Sequence, residues 1–412
     1  MSIRIIQFWR IIGTRLNKKV LIFSLFVGIL LSAFDAFLSY VFTDSALLAL
    51  IGQSKSGVSK AVTHLQSSFP REMVNQTGLA LIAVIAAIQV MLTFSKKIIG
   101  RRELFLATII PSLLVFAYPM VSRDIFSYLY YAKMVLVHHQ NPYLIVPLVN
   151  SSTDLWLGFV HNVDRVYAYG PTALIISIVP MLIAGGEKLL VNIFFVKLVS
   201  LTFFLLGSWL FLKISKNRNL VVVLWILNPF IINEMLVNGH NDLFMIVFFW
   251  LAIYWKQNSK TTLSVLAYLL SVGTKYLTAP LLPILFLSKK WQTILSTLSI
   301  VVIAGYLILH GNLPWYYSWI YFCLPYLKLN KGQVTSILFL QITLLLGYAG
   351  FLETGMWGPP PSSNVIILLS KSVWMFLPLF IFFVFVDLPK LHVGESMVKT
   401  GIKGKNKTRK TI

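Results

Sequence analysis

Charged residues are scarce in this sequence, and cysteine is almost absent. Only 12% of the 412 residues are charged, while 57% are hydrophobic and the mean hydropathy is +0.79. A typical soluble domain has about 25% charged residues, so a water-soluble globular protein is excluded. The single cysteine, Cys323, excludes both an intrachain disulfide framework and a cysteine-based metal site. The sequence patterns of a P-loop, of an HExxH metal site and of a nucleophile elbow are missing as well.

Long apolar runs recur along nearly the whole chain and indicate an all-α, polytopic membrane protein. We expect about twelve transmembrane helices, although several runs are shorter than the roughly 20 residues of a full span. The predicted crossings are 20–42, 79–95, 104–121, 191–212, 220–237, 241–255, 261–275, 276–288, 291–310, 315–327, 333–352 and 364–386. Residues 261–288 are predicted to form a broken hairpin with its tip at Lys275. The segment 170–186 contains Pro180 and is predicted to be interfacial or re-entrant.

The formal charge of +22 is explained by membrane topology rather than by nucleic-acid binding. If both termini are cytoplasmic, the inner segments hold 25 of the 35 Lys and Arg residues and three of the 13 acids. This distribution obeys the positive-inside rule. It predicts a multi-pass protein of the cytoplasmic membrane, with a membrane domain over 1–390, a basic cytoplasmic tail over 391–412 and a long external loop over 122–169.

Acidic residues are few, and Asp124 is the most distinctive of them. It follows a helix end at the start of the external loop and heads a segment, 125–137, that is predicted to be an interfacial helix. A carboxylate there either accepts a proton from an incoming hydroxyl group or caps the helix, and the residues alone leave both roles open. Asp35 and Glu234 lie within predicted helices, where an ionisable group indicates a function or a buried partner.

A second polar cluster, Asn238-Gly239-His240-Asn241-Asp242, separates two apolar helices. His240 has the chemistry to bind a phosphate or a sugar hydroxyl, and Asp242 to hold a cation or to orient that histidine. A simple capping role for Asn241 or Asp242 is the alternative. The spacing is not a metal signature, so no cofactor is assigned and a divalent cation stays open.

Three basic residues compete for the role of phosphate ligand on the predicted outer side. Lys275 lies at the tip of the hairpin, and Arg123 and Arg165 lie in the external loop. As the alternative, a lysine in the outer leaflet of the membrane extends its ammonium group to the interface without any function. The run from Trp315 to Trp319 is typical of an aromatic interfacial belt, with sugar or lipid stacking as the less favoured interpretation.

Four motifs occur in one order over roughly 115–320. They are PMVSRDIFSYLYYAKMV followed by NPY and YGP, LNPFIINEMLVNGHNDLFM, TKYLTAPLLP and LPWYYSW. Together they resemble the GT-C membrane glycosyltransferases, and more narrowly the polyprenol-phosphate-mannose-dependent mannosyltransferases with their α-1,6 branch.

This resemblance implies a GT-C fold and an inverting hexose transfer, with mannose as the expected sugar. The donor would be a polyprenyl-phosphate-linked sugar, and the acceptor a glycan or a lipid-linked acceptor on the outer face. Asp124 would be the general base. The other matching positions would bind donor or acceptor, namely Arg123, Tyr128, Tyr169, Asn238, His240, Asn241, Asp242, Lys275 and Trp315.

Two other classes compete with the enzyme. A polytopic transporter usually has ionisable groups near the midplane of the bilayer and paired repeats, whereas the acids here concentrate on one predicted face. A non-catalytic subunit that binds a lipid-linked sugar predicts the same pocket, but it would tolerate the loss of the Asp124 carboxylate.

Overall fold

The structure, a computed structural model, describes residues 18–44, 47–48, 50, 57–186, 189–310, 314–348 and 352, and gives the backbone alone for 304–310. Its regular elements are helices, and no strand occurs among the described residues. The predicted crossing at 364–386 and the predicted tail at 391–412 lie outside the described residues.

The helices follow most of the predicted apolar runs. In chain order they are α1 (Lys18–Leu38), α2 (Gly57–Ser68), α3 (Arg71–Phe94), α4 (Arg101–Leu114), α5 (Asp124–Leu136), α6 (Pro171–Ala184), α7 (Leu189–Ser215), α8 (Arg218–Ile226), α9 (Pro229–Val237), α10 (Asp242–Gln257), α11 (Thr261–Val272), α12 (Lys289–His310) and α13 (Lys331–Leu346). Short 3₁₀ helices occur at Ser39–Phe42, Pro147–Asn150, Leu155–Phe159, Tyr276–Leu285 and Pro314–Tyr326.

Fewer helices than predicted are long enough to cross a membrane. In the described ranges three pass by length and composition, and these are Lys18–Phe42, Arg71–Phe94 and Leu189–Ser215. The bent pair α8–α9 adds a fourth if it counts as one span. The predicted count of about twelve crossings is therefore not confirmed. Three predicted crossings form helices too short for a full span, namely Thr261–Val272, Tyr276–Leu285 and Lys331–Leu346. α6, which was predicted to be interfacial or re-entrant, is short as well.

The helix predicted at 104–121 ends early, and its end shapes the site. α4 stops at Leu114, and Pro119 further along disfavours a helical conformation at Tyr118. The backbone N–H of Tyr118 donates instead to Ser39 Oγ at 2.7 Å. The chain therefore leaves the helix before it reaches Asp124.

The predicted run 220–237 is one broken helix, bent by 44° between α8 and α9. Leu227 N–H donates to Val222 O in a π-type turn, and Ile231 N–H donates to the side chain of Asn228. These two bonds leave the carbonyls of Val223 and Leu227 without their α-helical partners. The buried amide of Gln89 on α3 donates to both carbonyls at 2.8 Å, so the break is hydrogen-bonded within the protein.

A lysine buried in the middle of α7 joins three parts of the fold. Lys197 Nζ donates to Ala117 O at 2.6 Å, to Val237 O at 2.8 Å and to Leu236 O at 3.3 Å. The last two carbonyls belong to the C-terminal end of α9, which favours a cation. The ammonium group thus fixes the chain shortly before Asp124 and directly before the polar cluster 238–242.

α5, predicted to be interfacial, is buried within the protein. Every residue from Ile125 to Met134 is buried, and the helix packs against α6, α7 and the 3₁₀ helices Pro147–Asn150 and Leu155–Phe159 of the loop 122–169. An ion pair fastens this loop to the helix: Asp154 accepts from Lys133 at 2.9 Å and contacts His138 at 2.8 Å.

α10 brings the remaining motifs together, because it packs against α7, α11 and the 3₁₀ helix Pro314–Tyr326. Lys275 lies in an extended conformation between α11 and the 3₁₀ helix Tyr276–Leu285, as expected for the tip of a broken hairpin. The start of α10, the hairpin tip and the aromatic run of 314–326 therefore meet at one end of the helix bundle.

We predict that Lys197→Met lowers the thermal stability of the purified protein in detergent. Three carbonyls would lose a charged donor, and the cost is expected to be about 2 kcal/mol or more. Lys213→Met, which removes an exposed lysine from the same helix, is the control. Equal melting temperatures for the two variants would contradict a structural role for the Lys197 contacts.

Candidate active site

Asp124 and His240 come from distant parts of the sequence and meet in the structure. Asp124 is the first helical residue of α5, and the N-cap position belongs to Arg123. Instead, Asp124 Oδ2 lies 3.3 Å from His240 Nδ1 and accepts a hydrogen bond from Tyr128 Oη at 3.2 Å. The capping interpretation is therefore wrong for the Asp124 side chain.

The turn before α10 aims His240 at two carboxylates. Gly239 has a φ of 72°, which glycine adopts without strain, and Ile125 packs closely against the place where a Cβ would be. On the far side of the ring, His240 Nε2 lies 3.2 Å from Glu234 Oε2. The side chains of His240 and Glu234 are 1% and 0% exposed, whereas that of Asp124 is 26% exposed. Asp124 is thus the member of this triad that ligands reach.

The electrostatics of this triad favour an ionised Asp124 and a protonated His240. Burial opposes the charged imidazole, but the nearby carboxylates of Asp124 and Glu234 outweigh it and raise the pKa of His240 to about 10. Burial likewise opposes ionisation of Asp124. The close contact with His240 and the positive charges of His240 and Lys275 nevertheless hold the pKa of Asp124 below its usual value.

Asp242 and Lys275 form a second ion pair beside the triad. Lys275 Nζ lies 2.8 Å and 2.7 Å from the two carboxylate oxygens of Asp242. Trp319 Nε1 donates to the same carboxylate at 2.6 Å. Asp242 therefore orients Lys275 and Trp319. The histidine-orienting role, which was one alternative predicted for Asp242, belongs to Glu234.

Aromatic rings surround both ion pairs. Trp315 stacks on the His240 ring with a centroid separation of 5.6 Å. The Lys275 ammonium lies 5.1 Å from the Tyr169 ring centroid, and Tyr169 meets Tyr128 edge to face at 5.3 Å. Trp315 is thus part of the site rather than of a surface belt alone.

Two glycines set the distance between the YGP motif and the hairpin tip. Thr172 N–H donates to Gly273 O at 2.9 Å, and Gly170 N–H donates to Thr274 O at 3.2 Å. A Cβ on Gly170 would overlap the Gly273 carbonyl, and this backbone group has no flexible way to move aside. The close approach places Tyr169 over Lys275.

Asn238 and Asn241 are both buried at the turn. Neither amide group makes a hydrogen bond to any part of the chain that the structure describes. Unsatisfied buried amides are rare in proteins, and their donors and acceptors match those of sugar hydroxyls. The predicted ligand-binding role of these two residues stays a prediction.

Arg123 points away from this cluster although it precedes Asp124. Its guanidinium pairs with the carboxylate of Asp44, which also accepts a hydrogen bond from Tyr118 Oη at 2.8 Å. Arg165, the other arginine of the loop, is exposed.

In the described ranges, no group of three His, Cys, Asp or Glu side chains has an arrangement suited to a metal ion. The two nitrogens of His240 already face carboxylates on opposite sides. A divalent cation in the site stays an untested prediction.

Three residues of the cluster and its surroundings were not assigned to the site from sequence. The sequence did mark Glu234 as unusual, because an ionisable group within an apolar helix needs a partner. Trp319 was hidden in a run that resembles an interfacial belt. Asp44 gave no signal, since an acid in a short polar loop is ordinary.

We predict that Gly170→Ala reduces activity strongly, although no side chain of the cluster changes. The new methyl group would push the YGP backbone away from Gly273 and move Tyr169 off Lys275. Gly57→Ala is the control, since a Cβ there meets nothing within 4 Å. Activity would be compared at matched protein level, and equal activity of the two variants would contradict the constraint.

We also predict an alkaline loss of stability that depends on His240. The folded-state pKa is about 10 and the usual value is 6.5, so the stabilisation is complete below 6.5 and is lost as pH rises through about 10. The melting temperature of the wild type should fall more steeply over this range than that of His240→Gln. Parallel curves for the two proteins would contradict a protonated, ion-paired His240.

Comparison with known proteins places the cluster in a family. The profile described as alpha-(1->6)-mannopyranosyltransferase, N-terminal domain, matches residues 39–290, which is more than half of the chain and includes Asp124, Glu234, His240, Asp242 and Lys275. No curated protein and no solved structure shows significant similarity to the chain. The chain belongs to the alpha-(1->6)-mannopyranosyltransferase family and is a helical, membrane-associated mannosyltransferase of the GT-C type.

Proposed function

We propose that the protein transfers mannose from a polyprenyl-phosphate-linked donor to a hydroxyl group of a glycan or lipid-linked acceptor, with inversion at the anomeric carbon. The reaction takes place at the outer face of the cytoplasmic membrane, and both termini are cytoplasmic. Asp124 is the general base. The family supports mannosyl transfer, and the sequence motifs and charge distribution support the choice of donor and orientation.

The observation that carries this proposal is a partly exposed, ionised carboxylate on a rigid, buried support. In the described part of the chain, His240 and Tyr128 both contact Oδ2 of Asp124. Oδ1 is therefore available to the hydroxyl group of an acceptor. Glu234 fixes the far side of His240, which keeps the base in one orientation.

The chemistry requires one displacement at the anomeric carbon. The acceptor oxygen bonds to this carbon while the bond to the phosphate oxygen breaks, and the electron pair leaves with the phosphate. The acceptor proton passes to Asp124. Because the pKa of Asp124 is low, we expect this transfer only as the new bond forms and the hydroxyl group becomes acidic.

The charge of the cluster suits such a transition state. Three carboxylates, those of Asp124, Glu234 and Asp242, face two cations, His240 and Lys275. The surplus is one negative charge, which stabilises the positive charge that develops on a sugar ring during transfer. It disfavours a phosphate group in direct contact with the cluster. Lys275, already paired with both oxygens of Asp242, is therefore a weaker phosphate ligand than its sequence position indicates.

The sugar itself needs polar and stacking contacts. We propose that the buried amides of Asn238 and Asn241 bind the hydroxyl groups of the sugar, and that the rings of Tyr169 and Trp315 form the walls of its binding site. Amides whose hydrogen bonds are unmade in the free protein gain most when a ligand supplies partners.

We predict that Asp124→Asn reduces mannosyl transfer by about 10²-fold to 10⁴-fold, which is the usual contribution of a general base. The variant is nearly isosteric, so the melting temperature in detergent should change much less than the rate. Membranes that contain the wild type or the variant at matched level would be supplied with labelled polyprenyl-phosphate mannose.

Asp164→Asn is the matched control, because Asp164 is an exposed acid of the same external loop. It should retain full transfer. Transfer that survives in Asp124→Asn would move the base elsewhere, with Asp242 as the next carboxylate to test. If the wild type transfers no mannose, the non-catalytic subunit or the transporter becomes the better account.

A further inference from the structure

The side chains of Arg123 and Asp124 belong to different clusters, although the two residues are adjacent in the chain. Asp124 contacts His240, whereas the Arg123 guanidinium pairs with Asp44 at the edge of a separate polar pocket. This pocket has a volume of about 240 Å³, and its lining also includes Arg71 and His161. Two guanidinium groups thus share a small space with one carboxylate.

Asp44 holds Arg123 without neutralising the pocket. The carboxylate of Asp44 is itself fixed by the hydroxyl group of Tyr118. Arg71 contacts the Phe42 ring, with its guanidinium carbon 5.3 Å from the centroid, and no carboxylate pairs with it among the described residues. A guanidinium group offers five N–H donors in a planar fork, so several remain for an anion. The pocket is net positive, in contrast to the Asp124 cluster.

An apolar cavity of about 360 Å³ adjoins the polar pocket. The two share Tyr118 and Pro119 in their linings. The rest of the cavity is mostly apolar, with Leu47, Val58, Val62, Leu190, Ile193 and Phe194, although Thr43 and Lys197 also line it. Its volume falls within the range of small-molecule sites. A charged pocket next to an apolar cavity matches a ligand with an anionic head and a hydrocarbon chain.

We propose that these two adjacent cavities bind one amphipathic phosphate ester, with the phosphate on Arg123 and Arg71 and the apolar chain beside Ile193 and Phe194, past the shared wall at Tyr118 and Pro119. The inference rests on the proposed function, because the lipid-phosphate substrate of that reaction has this chemistry. It assigns the phosphate to the arginine pocket instead of to Lys275.

The assignment requires the sugar to lie between the Asp124 cluster and the arginine pocket. In an inverting displacement the base and the leaving phosphate lie on opposite sides of the sugar. Arg123 and Asp124 are neighbours in the chain, and their partners, Asp44 and His240, belong to different clusters. A sugar between the two clusters would have the carboxylate on one side and the guanidinium groups on the other.

The test is a binding measurement on the full-length protein in nanodiscs, with a polyprenyl phosphate that carries no sugar. Arg123→Gln and Arg71→Gln should each weaken its binding by about tenfold or more, since a charge-assisted hydrogen bond is lost. Arg165→Gln, which removes an exposed arginine of the same loop, should bind like the wild type. A polyprenol of the same length measures the contribution of the chain alone and should not respond to either arginine variant.

The apolar cavity is tested separately with Ile193→Trp, which fills it, and with Val191→Trp, an exposed position two residues earlier on α7. Ile193→Trp should weaken the binding of polyprenyl phosphate and of polyprenol alike, and Val191→Trp should weaken neither. Competition by inorganic phosphate alone, with no effect of Ile193→Trp, would show an anion site without a lipid chain and would overturn the proposal.

Unchanged binding in both arginine variants would also overturn it, and their melting temperatures would show that they remain folded. Because the probe carries no sugar, this result is independent of transfer. Loss of lipid-phosphate binding in the arginine variants, in a protein that transfers no mannose, would refute the proposed function and leave this site in place.

Discussion

The buried ammonium group of Lys197 is the interaction on which the arrangement of the active site depends. It donates to the carbonyl of Ala117, which lies shortly before Asp124, and to those of Leu236 and Val237, which lie shortly before His240. A lysine without water costs a great deal of free energy unless its donors are all used. The price is offset here because one cation completes the ends of two chain segments that would otherwise expose unpaired carbonyls. Helix α7 therefore acts as the common reference for both halves of the site.

Ion pairing governs the site at the next level. Glu234, His240 and Asp124 form one chain of contacts, and Asp242 with Lys275 forms another, so each buried charge has an opposite charge beside it. Removal of one member would leave its partner buried and unpaired, which usually costs more than the pair contributes. The arrangement keeps the reacting carboxylate ionised in a poorly solvated place, and this is the condition under which it can act as a base.

Apolar runs predicted the helical class and most helix positions. The family resemblance, rather than any one pattern in the chain, grouped Asp124 and residues 238–242 with Lys275 and Trp315. The sequence did not predict the number of spans, because apolar runs such as 261–275 and 276–288 form helices shorter than a full span, and hydropathy does not show where a helix ends. The ion pairs could not be predicted from the sequence either, because no pattern in the chain shows that Glu234 contacts His240 or that Asp44 contacts Arg123. Burial of α5 involves α6, α7 and the loop that pack against it, and amphipathicity alone does not reveal such neighbours.

The contact between Gly170 and Gly273 has a mechanical consequence. Because two backbone hydrogen bonds join the return of the external loop to the end of α11, these segments cannot separate without breaking both. Tyr169 and Lys275 therefore travel as one rigid unit in any opening that admits a substrate or releases a product. A gate in this enzyme must hinge outside that unit, and its motion would carry an aromatic wall and a cation away from the base together.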